Sequence, residues 1–223
     1  MSILTFEELK AKQRALRDGF PPSHGLRVHR AISWIKRAEF ESNDHDAKFI
    51  FLWIAFNAAY ANDETGISVL RTSARRGIKD YFAKLVAVDQ SKVVYNALWI
   101  RFAGPIRLLM GNPYVFAPFW SHHNGIEGYE NWKERFGKSD SFFRNAFADQ
   151  NTVEVLSCVF DRLYVLRNQI MHGGATWHGA VNRDQVRDGA AILEFLVPVF
   201  VDLMMEHPNE DWGVASYPVV EDA

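Results

Sequence analysis

Between Asp46 and Ala61 the chain runs through Phe49, Ile50, Phe51, Leu52, Trp53, Ile54, Ala55, Phe56, Ala58, Ala59 and Tyr60 almost without a polar residue. A helix that is apolar on nearly every face belongs at the centre of a helical assembly, with other helices covering each side. The run Phe49 to Ala59 is too short to cross a membrane. Asn57 is the exception within it, and a buried amide must find hydrogen-bond partners. Its two readings are a bridge to a neighbouring helix, which is favoured, and support for an active site.

Other segments supply the covering helices. Thr5-Phe-Glu-Glu8 is a capping-box pattern that opens a first helix to about Asp18. Gly19 to Gly25 reads as a loop, and Val28, Ile32, Ile35 and Phe40 stripe a helix over 26–41. Asp44 or Asp46 can cap the central helix, and 62–66 reads as a loop. Helices are expected over 67–88 and 91–110, the second kinked or split at Gly104-Pro105. An irregular stretch over 112–128 and short helices over 127–136 and 141–148 follow. Thr152 to His172 is a clear helix closed by Gly173-Gly174. Asn182 can cap the last helix, which runs to about His207 and bends at Pro198; residues 208–223 form a surface tail. No confident run of period-two strands occurs. The predicted fold is therefore all-α, an up-and-down helical bundle with an inserted helical region at about 65–148, in a single domain spanning 1–223. Its core helices lie at about 26–61 and 151–206.

Charge limits the choice of partner. The formal net charge is −2, whereas a protein that coats nucleic acid is usually basic, so any nucleic-acid contact must be local. The one cysteine, Cys158, cannot form an intrachain disulfide and reads as a small buried hydrophobe. Met1 to Arg17 is charged and amphipathic without the apolar stretch of a signal peptide, so the expected location is the cytoplasm. The 17 Phe and 7 Trp predict a well-packed, oligomeric protein.

The chemically pointed segment is Arg167-Asn168-Gln169-Ile170-Met171-His172. Asn168 and His172 are about 40° apart around a helix and share a face; Arg167 and His172 are about 140° apart and converge best if the last turn is distorted or Arg167 reaches around. Cutting RNA without a metal requires deprotonation of the ribose 2′-hydroxyl and protonation of the leaving 5′-oxygen. Histidine can do either. A guanidinium can stabilise the phosphorane-like transition state, and Asn168 can orient the phosphate or the imidazole. One segment supplies one histidine, so two copies across a two-fold axis would complete the set. Taken alone, the spacing is weak, since cations commonly occupy a last helical turn.

In its setting the segment resembles the HEPN superfamily, particularly its larger Apea-like members. Arg167, Asn168 and His172 match the family's motif of Arg, a polar residue and His. Residues 29–39 and 49–60 are similar to its first two core helices, and 172–177 and 181–190 to its turn and last core helix. The resemblance covers about 26–61 and 151–206. It implies a bundle that dimerises through the motif helix, and in many members a metal-independent endoribonuclease of toxin–antitoxin, phage-defence or RNA-processing systems. Other members are inactive binding modules.

Several signals surround the motif. Arg183 and Arg187, one turn apart near the motif loop, are candidates for substrate phosphates, and His178 on that loop is grouped with them. Arg71, Arg75, Arg76 and Lys79 form a basic stripe that reads as a solvated face. His122-His123 lacks the further ligands of a metal site, and no cofactor motif occurs. The first expectation is an RNA-cleaving homodimer with His172 as acid/base, Arg167 as phosphate stabiliser and Asn168 as orienter, its partners RNA and, in a toxin setting, an antitoxin. The second is a non-catalytic module binding RNA, nucleotide or protein through the same cleft, and the third a scaffold with no ligand.

Overall fold

The computed structural model describes residues 2–61 and 71–217, without the side chains of 71–75. The expectations for 62–70 and for the last residues of the tail lie outside the described residues. All regular structure among the described residues is helical, with no strand.

Helix α1 (Phe6–Leu16) starts at the expected capping box: Thr5 Oγ1 accepts from Glu8 N–H, and the Glu8 carboxylate accepts from Thr5 N–H. Helix α2 (Pro22–Glu39) begins within the stretch expected to be a loop. Pro22 sits in its first turn, where a missing N–H costs nothing and the fixed φ suits a helix. Helix α3 (His45–Tyr60) is the central apolar helix, capped by Asp44, whose Oδ1 accepts from Ala47 N–H at 3.0 Å. Helix α4 (Arg71–Val88) follows.

The expected helix over 91–110 is three pieces. A short turn α5 (Val93–Asn96) runs into a π-helical stretch, Ala97–Arg101, and α6 (Ala103–Met110) restarts after it. Pro105, which has no N–H, falls in the first turn of α6, so the split precedes it as helix chemistry requires. The stretch expected to be irregular holds a 3-10 turn, Pro113–Val115, and α7 (Ala117–His123). The two short helices expected after it are one, α8 (Trp132–Ala148). The ion pairs Glu134–Lys138 and Asp140–Arg144, each spanning one turn, carry α8 through the region read as a break.

Helix α9 (Thr152–Met171) and helix α10 (Arg183–Glu206) complete the bundle. Asn182 does not cap α10: it adopts φ 56° and its side chain makes no cap hydrogen bond. Pro198 lies inside α10, which continues through it.

Helix α3 packs against α2 and α10, and α9 packs on α3, α4 and α10. At the centre, Phe56 of α3, Phe82 of α4, Phe160 of α9 and Phe200 of α10 meet, with ring centroids 4.5 Å apart for Phe56–Phe160 and 4.9 Å for Phe82–Phe160. All four rings are buried, and such pairs add to the stabilisation that comes from burial alone. A Cβ on Gly189 would meet Phe49 Cε2 at 2.9 Å, so the missing side chain lets α10 lie close against α3. Leu98, Phe102, Ile106 and Phe143 belong to the same core cluster, so the inserted region shares the core of the bundle. No described helix is long and apolar enough to cross a membrane.

Two buried polar residues of α2 escape sequence patterning. Arg27 is fully buried and donates to Ala59 O at 2.9 Å, Val214 O at 2.6 Å and Gly213 O at 3.3 Å, binding the C-terminal segment to the end of α3. His24 is 4% exposed with both ring nitrogens unpartnered, and burial pushes its pKa down to about 4. The unfolded chain therefore takes up a proton near pH 6.5 that the folded protein refuses until about pH 4. His24 thus withdraws stability as pH falls through that window and has no effect above it. The expected loss is up to about 3 kcal/mol. Urea unfolding at pH 7.5 and pH 4.5 measures it: His24→Leu should show a distinctly shallower pH dependence than the parent, and parallel curves would refute the assignment.

Candidate functional site

Helix α9 carries the site. Its cap is Asn151, whose side chain accepts from Glu154 N–H, and its hydrogen bonds run regularly to the end: His172 N–H donates to Asn168 O at 3.0 Å. Gly173 adopts φ +70°, a left-handed conformation that glycine takes at no steric cost. The last turn is not distorted, which was one of the two ways for Arg167 and His172 to converge. Arg167 and His172 therefore leave one helix about 140° apart.

The three motif residues lie at the surface end of α9. His172 is exposed at the C-cap, and Arg167 and Asn168 are half-buried. Arg167 Nη1 donates to the Asn168 side-chain oxygen at 3.0 Å, which fixes the guanidinium beside the amide. Burial pushes the Tyr60 phenol upward, and the charge of Arg167 partly offsets that, placing the guanidinium near the end of α3.

Gln169 has a structural part that sequence reasoning did not assign. It donates to Tyr114 O at 2.6 Å and accepts from Asn182 Nδ2 at 2.9 Å, while Asn182 Oδ1 accepts from Asn112. This chain of amides ties the end of α9 to the 3-10 turn and to the start of α10. The one available signal was that Gln169 lies inside the motif segment, next to the packing residue Ile170.

The residues grouped as substrate binders each meet an aspartate. Arg183 Nη1 pairs with the nearly buried Asp46 Oδ2 at 2.6 Å, and its Nε and Nη2 are buried without a partner among the described residues. Arg183 is thus a pin between α10 and α3. Arg187 is exposed but paired with both Asp184 and Asp188, so its surroundings carry more negative charge than positive. His178 is exposed with φ 55°, and its backbone N–H faces Asp46 at 3.4 Å. Trp177 Nε1 donates to Asp44 Oδ2 at 2.9 Å. The α9–α10 loop is therefore docked on the N-terminus of α3 by two aspartates. Asn57 is half-buried on α3, not enclosed in the core as expected from its apolar neighbours.

Cys158 is half-buried and burial pushes its thiol up to about 11, which removes it as a nucleophile. His122 and His123 pack in an aromatic cluster, His123 lying 4.2 Å from the Phe119 ring. No group of metal-ligating side chains occurs among the described residues. The buried Arg162 lies over the rings of Phe116 and Phe136, at 4.4 and 5.3 Å, and anchors the inserted region to α9.

Fold and site together define an all-helical protein with a polar trio at one helix end. No protein-family model, curated protein or solved structure matches the chain.

Proposed function

We propose that this protein is a metal-independent endoribonuclease that acts as a homodimer, with His172 as general acid or base, Arg167 stabilising the transition-state phosphate and Asn168 orienting it. The observation that carries the reading is the 3.0 Å hydrogen bond from Arg167 to Asn168 one turn before an exposed His172. A guanidinium oriented by an amide can meet a phosphate with charge-assisted hydrogen bonds, and an imidazole at the surface can exchange protons with a substrate. The core uses none of these three side chains. With Arg183 and Arg187 committed to carboxylates, the phosphate contact falls to Arg167. The separation of Arg167 and His172 around the helix makes a single chain incomplete, so a second copy is needed to bring an imidazole opposite a guanidinium. By its resemblance to HEPN proteins the activity belongs in a toxin–antitoxin or phage-defence setting.

The same separation favours a second reading, a non-catalytic module that binds RNA, nucleotide or a partner protein without cutting. Purified protein incubated with single-stranded RNA in EDTA separates the two. Cleavage leaving a 2′,3′-cyclic phosphate is the expected result; intact RNA that stays bound would leave the binding module, and a monomer in solution that cuts would overturn the shared site.

A further inference from the structure

One face of α9 is the floor of a cleft of about 560 Å³, inside the range of about 300–1,000 Å³ found for small organic ligands. Ser157, Phe160, Asp161, Tyr164, Val165 and Asn168 form that floor. Their spacing places them in one continuous helical stripe. Tyr60 at the end of α3 and Ile78 and Lys79 of α4 border it, and Trp120 and Ser121 of α7 line it as well. The stripe continues along the row Tyr164, Asn168, His172, one turn at a time. His172 lies outside the cleft lining, about 12 Å along the helix axis and about 80° around it from Tyr164.

The lining is specific in kind. Tyr164 is 40% exposed although its ring rests 6.2 Å from that of Trp53, so a large flat aromatic surface is held in place and left uncovered. Trp120 is half-buried with its indole N–H spent on Tyr114 O, which fixes its plane and leaves only ring surface to offer. The Asn168 oxygen is occupied by Arg167, so its NH2 is the hydrogen-bonding group left for a ligand. The serines at 121 and 157 add hydroxyls, the second already donating to Val153 O and free to accept. Lys79 is neutralised by Glu154, and Asp161 lies beside Arg162, so the far end carries little net positive charge. The guanidinium of Arg167, outside the lining itself, is held beside the near end by its hydrogen bond to Asn168. A ligand with a flat heteroaromatic ring in the cleft and a negative charge toward Arg167 fits this distribution; a long aliphatic chain would leave the amide and hydroxyls without partners.

We propose that this cleft holds an unpaired base of single-stranded RNA, stacked on Tyr164 and read at its edge by Asn168, in a nucleotide neighbouring the scissile phosphate. The inference rests on the reading of the chain as a ribonuclease and names its substrate class as unpaired RNA. Base–aromatic stacking is sequence-tolerant, since every base has a π face, so the cleft selects unstacked strands before it selects sequence.

The test is fluorescence anisotropy with the full chain and a short labelled 2′-O-methyl oligoribonucleotide, which cannot be cleaved by 2′-hydroxyl attack. Tyr164→Ala should weaken binding roughly five- to hundredfold, and Tyr164→Phe should bind like the parent. Ser157→Phe, which fills the floor, should also weaken binding; it serves if Tyr164→Ala unfolds. A strand with abasic positions should bind the parent as weakly as the intact strand binds Tyr164→Ala, and duplex RNA should not compete. Equal binding of abasic and intact strands, or tight binding by a folded Tyr164→Ala or Ser157→Phe, overturns the base site. Tyr164-dependent binding without cleavage in EDTA keeps the base site and removes the nuclease reading alone. Cleavage by the parent with indifference to Tyr164 does the reverse.

Discussion

Replacing His172 with alanine is expected to lower EDTA-resistant RNA cleavage by roughly a hundred- to ten-thousandfold, the range that a positioned acid or base contributes. The fold should not suffer. The His172 side chain is exposed, and the group that closes α9 is its backbone N–H, donating to Asn168 O and Ile170 O. Alanine keeps that N–H, so the unfolding midpoint and the particle mass by light scattering should match the parent. Arg167→Ala should reduce the rate as well, by removing charge from the phosphate, and it also frees the Asn168 amide that Arg167 now orients. Initial rates on a defined single-stranded RNA, with the cyclic-phosphate product quantified, measure both effects. Undiminished cleavage by His172→Ala would assign the activity to another group.

The largest stability effect is expected at Arg27. Arg27→Met keeps much of the volume but removes the donors to Ala59 O, Gly213 O and Val214 O. A buried carbonyl left without a partner costs about 1–3 kcal/mol. The tail carbonyls can recover water by detaching, whereas Ala59 O lies in the interior at the end of α3. The expected loss is therefore roughly 2–4 kcal/mol, accompanied by faster proteolysis of 208–217. Arg30, which donates to Ser216 O and Tyr217 O nearer the surface, provides the contrast. Arg30→Met should loosen the same segment with a loss below about 1 kcal/mol, because its acceptors can turn to water. Urea unfolding with parallel proteolysis reads both variants; equal and small losses would show that the tail is not held through the buried guanidinium.

The parts of this fold that local chemistry specifies were legible in the chain. Thr5 and Glu8 announced α1, and Gly173 announced the end of α9; for α3 the sequence offered Asp44 or Asp46 as the cap, and Asp44 fills it. Where the reading departed from the structure, a non-local or compensating effect intervened. The region of α8 was read as two short helices, over 127–136 and 141–148, yet ion pairs one turn apart flank the gap and the helix runs through it. The loop before α2 was drawn too long because Pro22 both breaks and starts helices. Asn182 has a capping residue's composition, but its amide is drawn into pairing with Gln169 and Asn112.

The candidate site divides in the same way. The spacing of Asn168 and His172 established that they share a face of a helix, and Gly173 established where that helix stops, because both depend only on helix geometry and on the conformational freedom of glycine. The commitment of Arg183 to Asp46, the burial of Arg27 beneath the tail and the aromatic cleft beside Asn168 were decided by tertiary structure. Each depends on which atoms meet across the bundle. A charged side chain reads alike along the chain whether it faces a carboxylate, a carbonyl or water; only the packing of α3, α9 and α10 determines which of these it meets.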